Sequence, residues 1–414
     1  MTGKELTAGI DSPAMRSAGK ELLSLALIDA RNHTLQLLGR YEAAMQSGLQ
    51  LAPSAELEPP AWIAGHAGWL AERWLARNPA RASGAQADGG VVLASIEPMA
   101  DAWFAPQQSS SAERWRAGQP SVQLVRDYLL ATLEQTLDLL ALASETDDAL
   151  RLFRAALFHE DACGEQLVTM AQTAGVPLAL TPPAPQAARD ALLAPATRWT
   201  LGHQGPGFSL ALERPAHPVD VPEFEIDAQP VTWAQFVEFV DDGGYDRVEL
   251  WQSEGWAWLQ AHPDGRRGPR HVEQIGVASG AVMQAWFGKA LRRSGSQSAM
   301  HLSWWEADAW ARWAGRRLPT EVEWEAAAST ASSRGFRWGD ALEWTAATLR
   351  PWEGYAPDLW ATDTLFDPQA FYGRAKVVRG ASFATRARMK HPVARRFALP
   401  GRDDAFIGFR TCAV

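Results

Sequence analysis

The sequence HEDACGE, at residues 159–165, lies inside a segment from residue 151 to residue 172 whose apolar residues recur at helical spacing. This pattern predicts one helix with a buried face. Residues four apart on a helix project from the same side, so His159 and Cys163 point towards one place, with Glu165 turned further round. An imidazole and a thiolate that converge are a plausible pair of transition-metal ligands if another helix supplies a third. The alternative is a buried histidine beside an unrelated small cysteine.

A second stretch, PPAWIAGHAGW at residues 59–69, predicts a helix that begins after two prolines. It places His66 among apolar residues, where an imidazole is costly unless its nitrogens are hydrogen-bonded or bound to a metal. Helix bundles commonly build metal sites from inward-facing side chains on facing helices. His66 is therefore a candidate for the additional ligand that His159 and Cys163 need from another helix.

The chain of 414 residues is long enough for two or three domains with large cores. Helical spacing over residues 21–46, 60–75, 121–144 and 151–172 predicts four long helices, the number expected of an up-and-down bundle. We expect a flexible N-terminus (1–19), a helical bundle (20–180), a linker rich in proline and alanine (181–198) and a second domain (199–414).

The second domain is predicted to mix short strands, such as residues 208–212, with two clear helices. Thr232 is expected to cap a helix over residues 233–240, and Ser303 with Glu306 forms a capping box for a helix that ends near residue 314. The 20 tryptophans suit a fold with irregular loops held in place by large side chains. The fold class is therefore expected to be α+β.

Two motifs resemble those of a known family. The segment WIAGH at residues 62–66 matches a W-x-x-G-H pattern, and residues 159–165 match H-x-x-x-H-x-E except at Cys163. The chain resembles the ergothioneine-synthase type of non-haem iron enzyme, which joins a DinB-like four-helix bundle to a formylglycine-generating-enzyme-like domain. The resemblance implies Fe(II) bound by His66 and His159, with Glu165 as the closing glutamate. Cys163 takes the place of the family's third histidine.

The sequence GRRLPTEVEWE at residues 315–325 resembles the hallmark of the formylglycine-generating-enzyme superfamily, which implies a C-type-lectin-like mixed domain rich in irregular loops. Its charged residues are expected to fix loops through buried hydrogen bonds. Formylglycine-generating enzymes bind copper with a pair of cysteines in this domain, whereas Cys412 has no partner cysteine in its own domain. That activity is therefore not expected here.

Two further departures affect the expected chemistry. Trp352 aligns with a tyrosine that serves the oxygen chemistry of the sulfoxide synthases, and an indole cannot donate an O–H proton. Tyr355 lies three residues further on and is the candidate to replace it. Arg396 and Phe397 align with a segment that contacts the trimethylhistidine substrate, and Phe397 keeps an aromatic face of the kind that binds a quaternary ammonium.

Together the departures suggest an altered reaction on the same scaffold, and they fit selenoneine synthases, which join hercynine to a selenosugar. The implied activity is O2-dependent formation of a carbon–selenium bond on hercynine, and the alternative is a sulfoxide synthase with a thiol donor. Asp161 and Glu165 are expected to orient the metal ligands. Arg114 and Arg116 are candidates to hold the donor, although exposed surface charges are an alternative.

The remaining expectations come from composition. A net charge of −9 argues against an extended nucleic-acid surface, and two cysteines give no disulfide framework, which favours the cytoplasm. No signal peptide or membrane-spanning run is apparent. Small-molecule partners and a monomer or homodimer are expected. Two rivals remain open, namely a metal-free binding module or degenerate paralogue, and a bundle-type thiol transferase that uses zinc.

Overall fold

The computed structural model describes residues 9–54, 57–116, 120–262 and 265–414, with helices in the first part and a mixed domain in the second. The α+β fold class is therefore confirmed. The helices are α1 Lys20–Gln46, α2 Pro60–Ala71, α3 Ala100–Phe104, α4 Ser111–Arg114, α5 Val122–Leu142, α6 Asp147–Ala174, α7 Trp233–Asp241, α8 Ser253–Gln260, α9 Trp304–Trp313 and α10 Glu321–Thr330. None of the helices in the described part of the chain combines the length and the apolar character that crossing a membrane requires.

The four long helices α1, α2, α5 and α6 form the predicted bundle. Helix α6 packs against α1 and α2, and α5 packs against the same two helices on their other side. The consecutive pairs α1–α2 and α5–α6 share less contact, so they face each other across the bundle. This differs from a simple up-and-down bundle, in which consecutive helices are neighbours.

Local sequence explains the limits of α6, the helix that contains HEDACGE. The Thr146 side chain accepts a hydrogen bond from the Ala149 backbone N–H and so caps the first turn. Gly175 ends the helix in the left-handed region, with φ of 73°, where a residue without a Cβ is favoured. Between these two signals nearly every side chain is buried, because the second domain covers the side of α6 that the bundle leaves open.

Four small sheets lie in the described part of the second domain. Their strands are β1 Leu192–Ala194, β2 Thr197–Leu201, β3 His217–Val221, β4 Phe224–Ile226, β5 Val272–Gly276, β6 Ala281–Trp286, β7 Lys289–Arg293, β8 Leu342–Thr348, β9 Lys376–Gly380, β10 Arg395–Ala398 and β11 Ile407–Phe409. The largest sheet has the order β10-β9-β8-β11, with β11 parallel to β8. Strands β5, β6 and β7 form an antiparallel sheet, and β1–β4 and β2–β3 are two-stranded. Long irregular segments connect these strands, as the tryptophan-rich composition indicated.

Two predictions about the second half need correction. Residues 208–212 do not form the expected strand, because Glu213 bonds back to the Leu210 N–H and closes a 3-10 turn over Ala211–Glu213. The predicted linker 181–198 includes β1, which pairs with β4 and so belongs to the second domain. The spacing of apolar residues alone did not distinguish the 3-10 turn from a strand, or β1 from a linker.

The N-terminal segment also differs from the flexible stretch that was expected. Residues 1–8 lie outside the described residues, but Pro13–Ser17 is a 3-10 helix in which Met15 and Arg16 are buried. The Arg16 guanidinium donates to both carboxylate oxygens of Glu213, at 2.6 and 2.8 Å. This polar contact between the segment and the second domain is not visible from hydrophobic spacing.

We expect Arg16→Ala to lower the free energy of unfolding by about 3–5 kcal/mol, because it leaves the buried Glu213 carboxylate without its partner. Burial opposes ionisation of Glu213, but the charge and hydrogen bonds of Arg16 lower its pKa overall. The contribution of the pair is therefore complete above the ~4.3 of an unfolded glutamate and is lost as the pH falls through the pKa of folded Glu213.

Urea unfolding at neutral and acidic pH measures this loss. The matched control is Arg198→Ala, because the ion pair of Arg198 with Asp220 spans 3.9 Å between side chains that are 72% and 87% exposed. We expect no measurable change in that variant. Equal effects of the two substitutions would show that the N-terminal segment is not part of the folded core.

Candidate metal centre

Helix α2 presents three ring side chains on one face. His66 is fully buried and stacks between Trp62, four residues before it, and Trp69, three residues after it. The ring centres lie 5.0 and 5.7 Å from that of His66, with interplanar angles of 7° and 24°. This spacing places all three rings on one side of the helix. The two indoles cover the faces of the imidazole, so only its edge is left for a ligand.

The hydrogen bonding of His66 fixes its protonation. Its Nδ1 lies 2.9 Å from the Phe104 carbonyl oxygen, so Nδ1 is the protonated nitrogen that donates. Its Nε2 is buried and has no hydrogen-bond partner. Burial, with a smaller contribution from the Arg114 charge, lowers the pKa of His66 to about 4 in spite of the bond to Phe104. The result is a neutral imidazole with a free lone pair, which is the form that binds a metal ion.

His159 on α6 faces His66 across the bundle. The two ring centres are 5.1 Å apart and the rings are inclined by 68°. Burial lowers the pKa of His159 well below its usual value, so this imidazole is also neutral. An ion held at ~2.0–2.1 Å by two imidazole nitrogens has ring centres about 4.5–5.1 Å apart when the N–metal–N angle is about 90–110°. The separation of the two histidines therefore fits a shared ion.

Cys163 follows His159 by one turn, as predicted. Its Sγ lies 3.9 Å from both ring nitrogens of His159, and the residue is fully buried. A sulfur and a nitrogen that share a tetrahedral ion are about 3.6 Å apart. Burial raises the pKa of Cys163 well above its ordinary value, so an uncoordinated thiol is protonated. Across the described ranges, no three His, Cys, Asp or Glu side chains are already gathered as a ligand set, and Cys163 as third ligand stays a prediction.

The second domain closes over the two histidines. The Phe366 ring lies edge-on at 5.8 Å from the His159 ring. Nearby, the Asp363 carboxylate accepts from Arg73 Nε at 2.7 Å and from Trp74 Nε1 at 3.1 Å. The segment 360–366 is thus attached to the π turn Glu72–Ala76 that directly follows α2. Sequence patterns could not predict this contact, because its partners are almost 300 positions apart.

Asp161 and Glu165 were expected to orient the metal ligands, and the structure gives them different partners. The fully buried Asp161 carboxylate binds Arg388 through two bonds, of 2.6 and 2.7 Å. Glu165 accepts from the Thr385 hydroxyl at 2.7 Å and from Arg396 at 2.8 Å. Both carboxylates therefore attach α6 to the second domain. On a helix, residues two apart point in nearly opposite directions, which turns these side chains away from those of His159 and Cys163.

Arg114 and Arg116 have separate environments. Arg114 is buried, bonds Glu58 at 3.0 Å and lies 3.6 Å above the centre of the Trp62 ring. Its burial does not fit the alternative of an exposed surface charge, because its guanidinium packs over the Trp62 ring, and its role in binding the donor stays a prediction. Arg116 is exposed. A buried arginine over an indole has no simple sequence pattern, so its position could not be anticipated.

The substrate-pocket candidates separate into two groups. Tyr355 and Phe397 pack into one cluster, where Phe371 lies 5.1 Å from Phe397 and Tyr372 lies 6.1 Å from Tyr355. Burial and Tyr372 raise the pKa of Tyr355, so its phenol keeps its proton.

Trp352 lies elsewhere. The Arg395 guanidinium stacks 4.5 Å above its ring, His217 meets its edge, and its indole N–H is 3.4 Å from Glu321. Such contacts support a packing role for Trp352. Among the predicted residues, Arg396 on β10 reaches α6, where its guanidinium donates to the Glu165 carboxylate.

Comparison with known proteins agrees with both parts of the architecture. Residues 178–350 match the Sulfatase-modifying factor enzyme 1-like domain. Hercynine oxygenase of Mycolicibacterium smegmatis is 30% identical to this chain, over 94% of the chain and 98% of that protein. Hercynine oxygenase of Mycobacterium tuberculosis shows the same identity and the same two coverages. Formylglycine-generating enzyme of Streptomyces coelicolor is 34% identical over 42% of the chain and 59% of its own length.

The fold and site define a protein in which a helical bundle with two facing neutral histidines is covered by a sulfatase-modifying-factor-like domain. Full-length similarity gives the family. The chain belongs to the hercynine oxygenase family.

Proposed function

We propose that this chain is an oxidative enzyme that acts on hercynine and uses Fe(II) and O2 to join the imidazole to a selenium donor such as a selenosugar. Membership of the hercynine oxygenase family supports hercynine as the substrate and oxidation as the reaction class. The observation on which the proposal depends is the pair His66 and His159, two neutral buried imidazoles with ring centres 5.1 Å apart. The choice of a selenium donor over a sulfur donor is the more specific part of the proposal.

His66 and His159 would hold the iron, with Cys163 as the third ligand. The ion would supply the one-electron chemistry that makes O2 reactive towards the donor and the imidazole. The protein holds its ligands in the correct protonation state in advance, because the Phe104 carbonyl fixes the His66 tautomer. The stacked Trp62 and Trp69 exclude water from the faces of the His66 ring. A dry surrounding limits loss of reactive species to solvent.

The hercynine trimethylammonium would lie against the aromatic cluster formed by Tyr355, Phe371, Tyr372 and Phe397. All four rings are partly exposed, so they offer faces to a ligand. A quaternary ammonium is attracted to such faces. Arg396 is close by in the chain and would bind the hercynine carboxylate if it shared or released its bond to Glu165.

The choice of donor depends on three departures from the family pattern, at Cys163, at Trp352 and at Arg396-Phe397. A thiolate ligand makes an iron site softer than a third imidazole does, which favours a soft selenolate donor. Trp352 packs between Arg395 and His217. Because it is a tryptophan, a phenolic proton donor is missing at that position. The alternative is a sulfoxide synthase with a thiol donor, in which Tyr355 replaces the tyrosine.

One experiment separates the proposal from its rivals. The protein is purified without oxygen, its metal content is measured, and oxygen uptake is recorded with hercynine and a selenol donor. We expect iron and hercynine-dependent uptake. Zinc without uptake would favour a thiol transferase, and no metal without uptake would favour a binding module or degenerate paralogue.

We expect His159→Ala to lose bound iron and activity, because one imidazole of the pair remains and cannot retain the ion. Iron content and oxygen uptake provide the measurement. The matched control is His262→Ala, which removes a histidine whose Nδ1 bonds the Trp258 carbonyl in the second domain. Full iron content in the His159 variant would show that the metal centre lies elsewhere.

We expect Phe397→Ala to weaken hercynine binding by ~3–30-fold, because a cation–π contact is worth roughly 0.5–2 kcal/mol. Calorimetry on the iron-free protein measures the affinity. Phe397→Tyr keeps the ring and should retain most of it. If both variants bind hercynine as tightly as the wild type, Phe397 is not part of the pocket.

We expect Cys163→His to retain iron but to reduce the preference for a selenol over a matched thiol donor, because an imidazole is a harder ligand than a thiolate. The ratio of kcat/KM for the two donors is the measurement. Cys163→Ala is the companion variant, since it removes the ligand without replacing it and should lower iron content. An unchanged donor ratio in Cys163→His would mean that this cysteine only fills space and does not tune the chemistry.

A further inference from the structure

A second pair of histidines lies in the sulfatase-modifying-factor-like domain. His271 directly precedes β5, and His301 lies in the segment between β7 and α9. Their ring centres are 4.8 Å apart and the rings are inclined by 81°. His301 is fully buried and His271 is partly buried. Neither residue belongs to the site in the bundle.

The nitrogens of His301 have the same arrangement as those of His66. The Nδ1 of His301 lies 3.1 Å from the Asp404 carbonyl oxygen, which makes Nδ1 the donor and leaves the lone pair on Nε2. The Nε2 atoms of His301 and His271 are both buried, and neither has a hydrogen-bond partner. Burial lowers the pKa of both imidazoles, to about 4 for His271. Two neutral rings, each with a buried Nε2 that lacks a hydrogen-bond partner, therefore meet inside the domain.

The backbone conformation of the two histidines is also unusual. His271 and His301 have φ values of 66° and 63°, in the left-handed region that residues with a Cβ rarely adopt. Strained backbone of this kind is found where the surrounding structure holds a side chain for a purpose. Here the strain occurs at both members of one pair.

The two histidine pairs can be compared directly. Ring centres 5.1 Å apart in the bundle and 4.8 Å apart here both fall in the ~4.5–5.1 Å range for two imidazoles on one ion at an angle of about 90–110°. In both pairs a backbone carbonyl fixes one ring through Nδ1. An N–metal–N angle in this range suits tetrahedral or octahedral coordination and does not suit linear coordination.

The charges around the second pair include both signs. Arg266, Arg270, Arg293 and the carboxylates Asp403 and Asp404 all act on these histidines. Asp403 is ion-paired with Arg266 and Arg270, and Asp404 with Arg402. Asp403 and Asp404 offset part of the arginine charge at His271, so this member of the pair is surrounded by charges of both signs.

We propose that His271 and His301 form a second metal site, for a divalent borderline ion such as Zn2+, with water in the remaining positions. The ion would join the start of β5 to the segment that leads into α9. It would also fix Phe406, whose ring lies 4.9 Å from that of His301 and 4.6 Å from that of Phe383 at the interface with the bundle. Its role is thus to hold the second domain in the shape that covers the bundle.

The test uses the full-length chain with the bundle site removed by His66→Ala and His159→Ala together. We expect this protein, titrated with Zn2+ alone, to bind one ion, with X-ray absorption showing two imidazole ligands. Adding His271→Asn should weaken Zn2+ binding by about 100-fold or more, since loss of a direct ligand exceeds the ~10–100-fold effect of losing an outer partner. Asparagine tolerates the left-handed backbone, so the fold should be retained.

A second variant and a control complete the design. His301→Asn in the same background should also weaken Zn2+ binding by about 100-fold or more, because His301 has the same left-handed backbone that asparagine tolerates. His262→Asn, in the same domain but outside the pair, should leave binding unchanged. The bundle-site substitutions separate this test from the proposed reaction, because neither iron nor hercynine is needed. Failure to bind Zn2+, or binding that survives His271→Asn in a folded protein, would overturn the proposal.

Discussion

The structure depends on how the charges of helix α6 are neutralised. This helix is buried along most of its length, and three of its carboxylates are removed from water. Each is paired with an arginine of another element, in the pairs Glu160 with Arg31, Asp161 with Arg388, and Glu165 with Arg396. An unpaired buried carboxylate costs several kcal/mol. Only Arg31 belongs to the bundle, so the charge balance of α6 is complete only when the second domain is docked.

The same arrangement protects the histidine site. Residues two positions apart on a helix are separated by about 200°, so Asp161 and Glu165 point away from the side that presents His159 and Cys163. The charged groups therefore meet the second domain, and the neutral groups meet His66 and its flanking indoles. Asp161 is fully buried, and this burial raises its pKa to about 6 even with Arg388 bound to it. A dry, neutral surrounding keeps both imidazoles available as ligands.

The parts of this structure that the sequence predicted are those with a local physical signal. Four amphipathic helices were identified from the spacing of their apolar residues. His66 and His159 were identified because they are polar residues within apolar helical segments. The contacts of Asp363 with Trp74 and of Arg16 with Glu213 were missed, because pairing across hundreds of residues leaves no periodic trace. Trp62 and Trp69 could have been found, since their spacing from His66 places them on its face.

The carboxylates near His159 illustrate a second limit of prediction from sequence. Spacing correctly indicated that Asp161 and Glu165 lie close to the histidine along the chain, but it could not indicate what binds them. A buried carboxylate takes the strongest donor within reach, and here these donors are arginines from β10 and from the segment before it. Proximity in sequence to a metal ligand therefore does not define an orienting role.

Access to the bundle histidines follows from the way α2 ends. The helix that supplies His66 passes into a π turn, a local widening that is common at functional sites. This turn presents Arg73 and Trp74 to Asp363, so the element that positions the His66 imidazole also holds the segment whose Phe366 ring packs against His159. Because His66 is fully buried, a small molecule reaches its Nε2 only when a covering side chain moves. Displacement of the segment 360–366 would release Asp363 from the π turn, so the position of this segment is coupled to the helix that carries His66.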